Sequence, residues 1–209
     1  FYVSPDRMME RLDGWRAALT SGHEIGNHSY TRSPAVHKSP RRLAWELELT
    51  NDLIGSITGH STIYYRPPYL MDMDVLIGND PGSVSQPIRW AQTQGFLPIS
   101  ADIDTRDWEY DNPEEVMQKF KNDLFDCNIV LMHDGIRGNL NSINVLEEII
   151  VYLKQNDYKI VSLSDFLDVE PALAMSTISS PIQQASNHSN RLALSSVDLW
   201  PLFLRSVVQ

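Results

Sequence analysis

The 209-residue sequence contains a single cysteine, Cys127, which excludes an internal disulfide and a cysteine-rich zinc site. Positive charge is also scarce, since 17 Lys and Arg residues stand against 27 Asp and Glu residues and leave a net charge of -10. A nucleic-acid surface needs Lys and Arg gathered on one face, and the only dense basic pair is Arg41-Arg42. The composition therefore predicts no nucleic-acid partner.

Long apolar runs are missing too. No apolar stretch reaches about 18 residues, the length that a membrane-spanning helix needs, and no signal peptide opens the chain. The first residues, Phe1-Tyr2-Val3, resemble the end of a strand and lack an initiator methionine, which indicates a fragment of a longer protein. With 42% apolar and 21% charged residues, the composition otherwise predicts an ordinary globular domain.

Strand and helix patterns alternate along most of the chain. Apolar periodicity predicts helices over 5–21, 40–57, 85–95, 113–125 and 141–155. Strands are predicted over 1–3, 24–28, 62–65, 96–101, 129–132 and 159–163, with the run over 129–132 buried. Predicted N-caps are Ser39, Asn112 and, for a short final helix, Ser164. The inward face of the helix over 141–155 is predicted to carry Ile143, Leu146, Ile150 and Leu153.

This alternation predicts an α/β fold with a parallel sheet. About six βα units suit a small or incomplete (β/α) barrel, and an open doubly wound sheet is the alternative. Beyond the domain over 1–168, residues 169–209 are predicted to form a polar linker and a short apolar tail, which is too short to span a bilayer. Membrane contact is expected only through this tail.

Four polar clusters follow predicted strands, which is where a (β/α) barrel carries its chemistry. A His at such a position can ligate a metal or act as a general acid. Taken singly, each cluster also has a structural explanation: a hydrogen-bonded His, a rigid turn with a surface Arg, a capped loop with a packed Trp, and a His bonded to a carboxylate. The clusters are Gly22-His23-Glu24-Ile25-Gly26-Asn27-His28-Ser29-Tyr30-Thr31-Arg32, Arg66-Pro67-Pro68-Tyr69, Asp104-Thr105-Arg106-Asp107-Trp108 and Val130-Leu131-Met132-His133.

In this order the clusters resemble four of the five motifs of the polysaccharide deacetylases, the NodB homology domain of carbohydrate esterase family 4. The likeness covers residues 1–168, although Val130 stands where the family usually has Leu. It is nearest to the subgroup fused to a membrane glycosyltransferase. The resemblance implies a distorted (β/α) barrel of the NodB type that lacks its first strand, because the family's first motif, Thr-Phe-Asp-Asp-Gly, would precede Phe1.

The resemblance also implies an activity. Family members are hydrolases that remove N-acetyl groups from chitin-like or peptidoglycan-like polysaccharides, and they use a divalent metal of the zinc or cobalt class to polarise the amide carbonyl and activate water. Their substrates imply a location at the cell surface or outside the cytoplasm. By this resemblance His28 would be a metal ligand, and His133 would be the acid that protonates the leaving amine.

The remaining motif residues receive roles in the same way. Arg66 would orient the catalytic base, and Asp107 would position Arg66 or His133. The backbone N–H of Tyr69 would help to hold the oxyanion. Two apolar side chains would wall the acetyl pocket: Trp108 and Leu131.

One position departs from the family pattern. Arg32 stands where the second His ligand is expected, and a guanidinium has no lone pair to donate. At about 4 Å it would repel a dication by several kcal/mol even at an effective dielectric constant of about 20. Of three protein ligands only His28 is present, with His37 as a conceivable substitute. We therefore expect that this chain holds no catalytic metal and is an impaired deacetylase; the alternatives are a noncatalytic carbohydrate-binding or structural relic and a fragment without function.

Overall fold

The computed structural model describes residues 1–10, 12–33, 39–70, 86–126, 128–134, 141–170 and 175–177. Predictions that concern His37, Cys127 and the tail from residue 178 onward lie outside these described residues. The chain forms two compact units. The first unit comprises residues 1–99 together with the segment that begins at Ser162, and the second comprises residues 100–161.

The described helices are short apart from two. In chain order they are α1 Pro5–Glu10, α2 Leu12–Thr20, α3 Pro40–Thr58, α4 Gln86–Thr93, α5 Pro113–Asp123, α6 Asn141–Gln155 and α7 Leu163–Leu167. The strands are β1 Tyr2–Val3, β2 Gly26–Asn27, β3 His60–Thr62, β4 Tyr64–Tyr65, β5 Leu97–Pro98, β6 Ile103–Asp104, β7 Val130–Leu131 and β8 Met175–Thr177. Within the described ranges, no helix has both the length and the apolarity that a bilayer span requires.

A parallel four-stranded sheet organises the first unit. Its strand order is β1-β2-β4-β5, and the register pairs Tyr2 with Gly26 and Asn27 with Tyr65. The predicted parallel arrangement is therefore confirmed here. Because the strands are parallel, the loops after β1, β2 and β4 leave the sheet at one edge. A separate antiparallel pair joins β3 to β8, and the strand at β8 was not predicted from the polar sequence around it.

The core of the first unit lies between this sheet and helix α3. Leu43, Leu47 and Ile54 of α3 are fully buried, as the helical spacing predicted. Ser39 caps the helix as predicted, since its hydroxyl accepts a hydrogen bond from the backbone N–H of Arg42. Two apolar clusters result: Leu43, Leu47, Tyr65, Ala91 and Phe96 form one, and Val3, Met8, Ile25, Ile54 and Ile57 form the other.

The second unit packs α5 and α6 against the parallel pair β6-β7, in which Ile103 pairs with Val130. Asn112 caps α5 as predicted. The predicted inward face of α6 is wrong at Ile143 and Leu146, which are exposed, whereas Leu153 packs against the core cluster as predicted; Val145 and Ile149 are buried. The helix carries apolar residues on several of its sides, so their spacing alone does not identify the side that packs. The buried cluster consists of Ile103, Val116, Met117, Phe120, Val145 and Ile149.

Several predicted boundaries also need correction. No strand forms over 159–163, where Ile160 and Val161 are exposed, and α7 begins at Leu163 instead. The cap of α7 is Ser162, whose hydroxyl accepts from the N–H of Asp165; Ser164 lies inside the helix and bonds to Tyr64. The helix predicted over 5–21 is described as α1 and α2, and β7 is half-buried where a buried strand was expected.

We predict that Gly26→Ala destabilises the protein by about 1–3 kcal/mol, because the added methyl group has no room. A Cβ atom at this position would lie 2.5 Å from Cε1 of the Tyr2 ring, which the sheet register places directly opposite. Urea unfolding should show the loss, and it should shrink when Gly26→Ala is made together with Tyr2→Leu. An equal cost in both backgrounds would show that the Tyr2 ring is not the obstacle.

Candidate functional site

His28 and Arg66 follow neighbouring parallel strands and are directly linked. The Nδ1 atom of His28 lies 2.8 Å from the backbone carbonyl oxygen of Arg66. A carbonyl can only accept, so Nδ1 carries the proton, and in the neutral ring Nε2 carries the lone pair. The backbone N–H of His28 donates to the carbonyl of Val3 at 3.0 Å, which ties the loop to β1 as well. This is the posture in which a His side chain ligates a metal through Nε2.

The guanidinium of Arg66 is buried against an aromatic ring. Its Cζ atom lies 4.2 Å from the centre of the Tyr2 ring, and its Nε atom donates to the carbonyl of Ile99 at 3.4 Å. Burial lowers the pKa of Arg66, an effect that Tyr2 opposes. Burial also raises the pKa of the Tyr2 hydroxyl, so the ring faces the cation as a neutral phenol. Arg66 and Tyr2 thus form a cation–π contact in a desolvated environment.

The loop after β2 is fixed to α3 by buried polar side chains. The Nδ2 group of Asn27 donates to the carbonyl of Leu47 at 2.8 Å, and Asn27 is fully buried. The carboxylate of Glu46 is buried as well and accepts from the backbone N–H and the hydroxyl of Thr31 at 2.8–3.0 Å. Arg42 adds a third donor to Glu46 at 3.1 Å. These bonds define where the residues after His28 lie.

Arg32 lies in this loop and forms an ion pair with a residue of helix α1, which follows β1. Its Nη2 atom is 3.5 Å from a carboxylate oxygen of Asp6, in the first turn of helix α1, and the two side chains are 42% and 58% exposed. Its backbone adopts a φ of 51° and donates to the hydroxyl of Ser29 at 3.2 Å. In the part of the chain that the structure describes, no three His, Cys, Asp or Glu side chains form a group that could hold a metal ion. A cation at position 32 does not fit a divalent metal site.

Left-handed backbone conformations cluster in the predicted motif loops. Tyr69 has φ 60° and ψ 18° in a turn of 3-10 helix over Pro68–Leu70, and its side chain is 75% exposed. Such conformations cost energy for residues other than glycine and concentrate at functional sites. Among described non-glycine residues, four of the six with positive φ lie in motif loops: Ser29, Arg32, Tyr69 and Arg106.

In the second unit, Asp107 and His133 form a tight pair. Asp107 is fully buried, and its carboxylate accepts from the backbone N–H of His133 at 2.7 Å and from Nδ1 of the same residue at 2.9 Å. Burial by itself would raise the pKa of Asp107, but the hydrogen bonds from His133 and Ser142 lower it below the usual value. Asp107 thus contacts His133, one of the two residues that it was predicted to position. The His133 side chain is 36% exposed, so solvent reaches part of the ring.

The other predicted residues of the second unit surround this pair. The Oδ1 atom of Asp104 accepts from the backbone N–H of Arg106 at 3.0 Å, which closes a local turn. The hydroxyl of Thr105 donates to the carbonyl of Leu131 at 3.0 Å and joins the loops after β6 and β7. Trp108 is 47% exposed, so the alternative of a packed structural Trp does not hold.

Two residues of the first unit were missed from the sequence. Glu46 carried a usable signal, because it interrupts the apolar stripe of α3 between Leu43 and Leu47 and follows Arg42 by four residues. Asp6 carried none, since an acidic residue in the first turn of a helix is common on electrostatic grounds alone.

Comparisons with known proteins point to one class. The family model described as polysaccharide deacetylase matches residues 1–77. Peptidoglycan-N-acetylmuramic acid deacetylase PdaC of Bacillus subtilis is 25% identical over 171 residues, which are 81% of this chain and 33% of PdaC. The chain thus spans about a third of the length of this curated relative.

Solved structures show the same fold. BA3943 of Bacillus anthracis, a CE4 family pseudoenzyme, matches with a TM-score of 0.65 and 23% identity over 79% of this chain and 54% of that one. A family 4 acetyl xylan esterase of Clostridium thermocellum, in complex with a cobalt ion, matches with a TM-score of 0.63 and 24% identity over 77% and 73%. The predicted α/β fold of the NodB type is confirmed by these structures, and the matches together support a polysaccharide deacetylase domain of the CE4 class.

We predict that removal of the Glu46 carboxylate destabilises the protein through the loop after β2. Glu46→Ala removes the buried carboxylate that accepts from the N–H and hydroxyl of Thr31, and the loss of these hydrogen bonds to a charged group should cost about 1–3 kcal/mol in urea unfolding. Glu46→Gln keeps one acceptor oxygen and should cost less. If both variants unfold like the parent protein, the loop does not depend on this carboxylate.

A second prediction concerns pH. Because the pKa of Asp107 is lowered in the folded protein, its carboxylate stabilises the fold above the unfolded pKa of about 4, and that contribution is lost as the pH falls through the folded pKa. Asp107→Asn should therefore reduce the decrease in unfolding free energy between pH 7 and pH 3. The exposed Asp126→Asn is the matched control and should keep the parental pH dependence. An unchanged pH dependence in Asp107→Asn would contradict this assignment.

Proposed function

We propose that this domain binds an N-acetylated, chitin-like or peptidoglycan-like polysaccharide and carries the proton-transfer half of a deacetylase. The observation that carries this proposal is the pair formed by buried Asp107 and His133. Hydrolysis of an N-acetyl amide must put a proton on the leaving amine. When a carboxylate holds the Nδ1–H of a His side chain, the ring is suited to carry a second proton on Nε2. The leaving amine can receive this Nε2 proton.

Exposed aromatic side chains support a polysaccharide ligand. Trp108 and Tyr69 both follow strands in the motif loops and are 47% and 75% exposed. Large aromatic surfaces are costly to leave in water and are typical of positions that contact a ligand. In this proposal Trp108 and Leu131 of the second unit contact the acetyl group. The role of the Tyr69 backbone N–H as an oxyanion donor is proposed on the family resemblance alone.

We also propose that metal-dependent hydrolysis is impaired in this chain. A bound divalent metal would supply Lewis acidity and an activated water. His28 has the orientation of a ligand. The position of the second ligand in the family pattern is occupied by Arg32, whose guanidinium is paired with Asp6. Arg32 also favours a second candidate function, noncatalytic binding of the same polysaccharide, in which the exposed aromatic residues are used and no bond is broken.

The finer assignments from the resemblance belong to this proposal as well. A location at the cell surface or outside the cytoplasm follows from the polymer that such a domain would meet. The glycosyltransferase-fused subgroup is proposed on the sequence likeness alone. Contact with a membrane would involve the tail over 197–208, which lies outside the described residues.

The experiment measures polysaccharide binding and acetate release side by side. Isothermal titration with chitotetraose should detect binding, and Trp108→Ala should weaken it by about tenfold, the effect of about 1.4 kcal/mol of lost aromatic contact. The matched control is Trp45→Ala, since Trp45 is an exposed Trp on α3 away from the strand ends. Equal affinity in parent and Trp108→Ala, or no binding by the parent, would contradict the proposal.

Acetate release separates the two candidate functions. With excess Co²⁺ or Zn²⁺, the parent chain should release no acetate from chitotetraose and retain no metal after desalting, because Arg32 offers no lone pair. Arg32→His supplies a ligand nitrogen and should increase the Co²⁺ retained, whereas Arg32→Gln should not. Metal-dependent acetate release by the parent chain would show that the site is intact despite Arg32.

A further inference from the structure

We propose that Arg32 is a specificity residue that binds the carboxylate of an acidic N-acetylated glycan. The inference rests on the proposed function and names the substrate class for the same strand-end surface of the first unit. It assigns to Arg32 a role of its own, beyond the loss of a ligand at that position.

The guanidinium has donors to spare. Within the described residues its ion pair is with Asp6, through one contact of 3.5 Å, and both side chains are substantially exposed. Exposed pairs of this kind contribute little to stability. A guanidinium carries five N–H donors and binds a carboxylate best through two parallel hydrogen bonds. A ligand carboxylate can therefore bind Arg32 beside Asp6 or in its place.

The backbone at Arg32 is held in place in the absence of a ligand. Its backbone N–H donates to Ser29, and the preceding residue, Thr31, is bound by the buried carboxylate of Glu46. The φ of 51° is unusual for an arginine and is maintained by these contacts. A fixed backbone lowers the entropy lost on binding, which favours a recognition role.

Two exposed tyrosines accompany the cation at the same edge of the sheet. Tyr30 lies two residues before Arg32 in the loop after β2, and Tyr69 lies in the loop after β4, the adjacent parallel strand. The hydrogen bond from His28 to the carbonyl of Arg66 joins these loops. The aromatic rings offer apolar faces that a sugar ring can cover while an acidic substituent reaches the guanidinium.

Because the overall charge is negative, a preference for an acidic glycan would indicate a local cation in the binding site. With a net charge of -10, the chain as a whole does not attract an acidic polymer. A preference for an acidic glycan over a neutral one must then come from a local cation. Arg66 is buried beneath Tyr2, whereas solvent reaches the guanidinium of Arg32 in the loop after β2.

The test compares two tetrasaccharides by isothermal titration: neutral chitotetraose, and a tetrasaccharide of alternating N-acetylglucosamine and N-acetylmuramic acid, whose lactyl groups carry carboxylates. The parent chain should bind the acidic sugar about tenfold more tightly, the size of one charge-assisted hydrogen-bonded pair. Arg32→Gln should abolish that preference without changing the affinity for chitotetraose. Esterification of the carboxylates of the acidic tetrasaccharide should likewise abolish the preference of the parent chain for it.

Two further variants sharpen the outcome. Asp6→Asn removes the competing carboxylate and should strengthen binding of the acidic sugar alone, and Arg41→Gln, an exposed arginine on α3, should change neither affinity. Equal affinity of the parent chain for both sugars would overturn this inference and leave the proposed function standing. Binding of neither sugar would overturn both. A preference that survives Arg32→Gln would assign the carboxylate to a different residue and overturn the role of Arg32.

Discussion

The attachment of the loop after β2 to α3 is the constraint on which the first unit's candidate residues depend. A buried carboxylate is costly unless its oxygens are satisfied, and Glu46 is satisfied by Thr31 and Arg42. Asn27 adds a second buried anchor at the start of the same loop. The helix therefore sets the positions of His28 and Arg32 through polar contacts, although its own place in the core is set by apolar packing.

His28 and His133 show how one side chain type is prepared for two tasks. In both rings Nδ1 lies against an oxygen acceptor and carries the proton, so in the neutral ring Nε2 carries the lone pair. The acceptor of His28 is a neutral carbonyl, which fixes the tautomer without adding charge. The acceptor of His133 is the ionised, buried Asp107, which stabilises the positive charge of a protonated ring. The first arrangement suits a ligand and the second suits a proton donor.

Sequence reasoning recovered what local signals determine. The caps at Ser39 and Asn112, the parallel strands and the loops that carry His28, Arg66 and His133 were predicted because each leaves a short-range pattern. The packing face of α6 was recovered only in part, since apolar residues lie on several sides of that helix and its contacts with neighbouring elements decide which side is buried. The contact of Arg32 with Asp6 joins the loop after β2 to helix α1, and no short-range pattern reveals such a pair.

The bond from His28 to the Arg66 carbonyl has an evolutionary consequence. The acceptor is a main-chain atom, which every amino acid provides, so mutation of the Arg66 side chain leaves the His28 posture encoded. Side chains around His28 can therefore change while its tautomer stays fixed. The Arg32→His variant would add a second His to a loop in which Nδ1 of His28 is already paired.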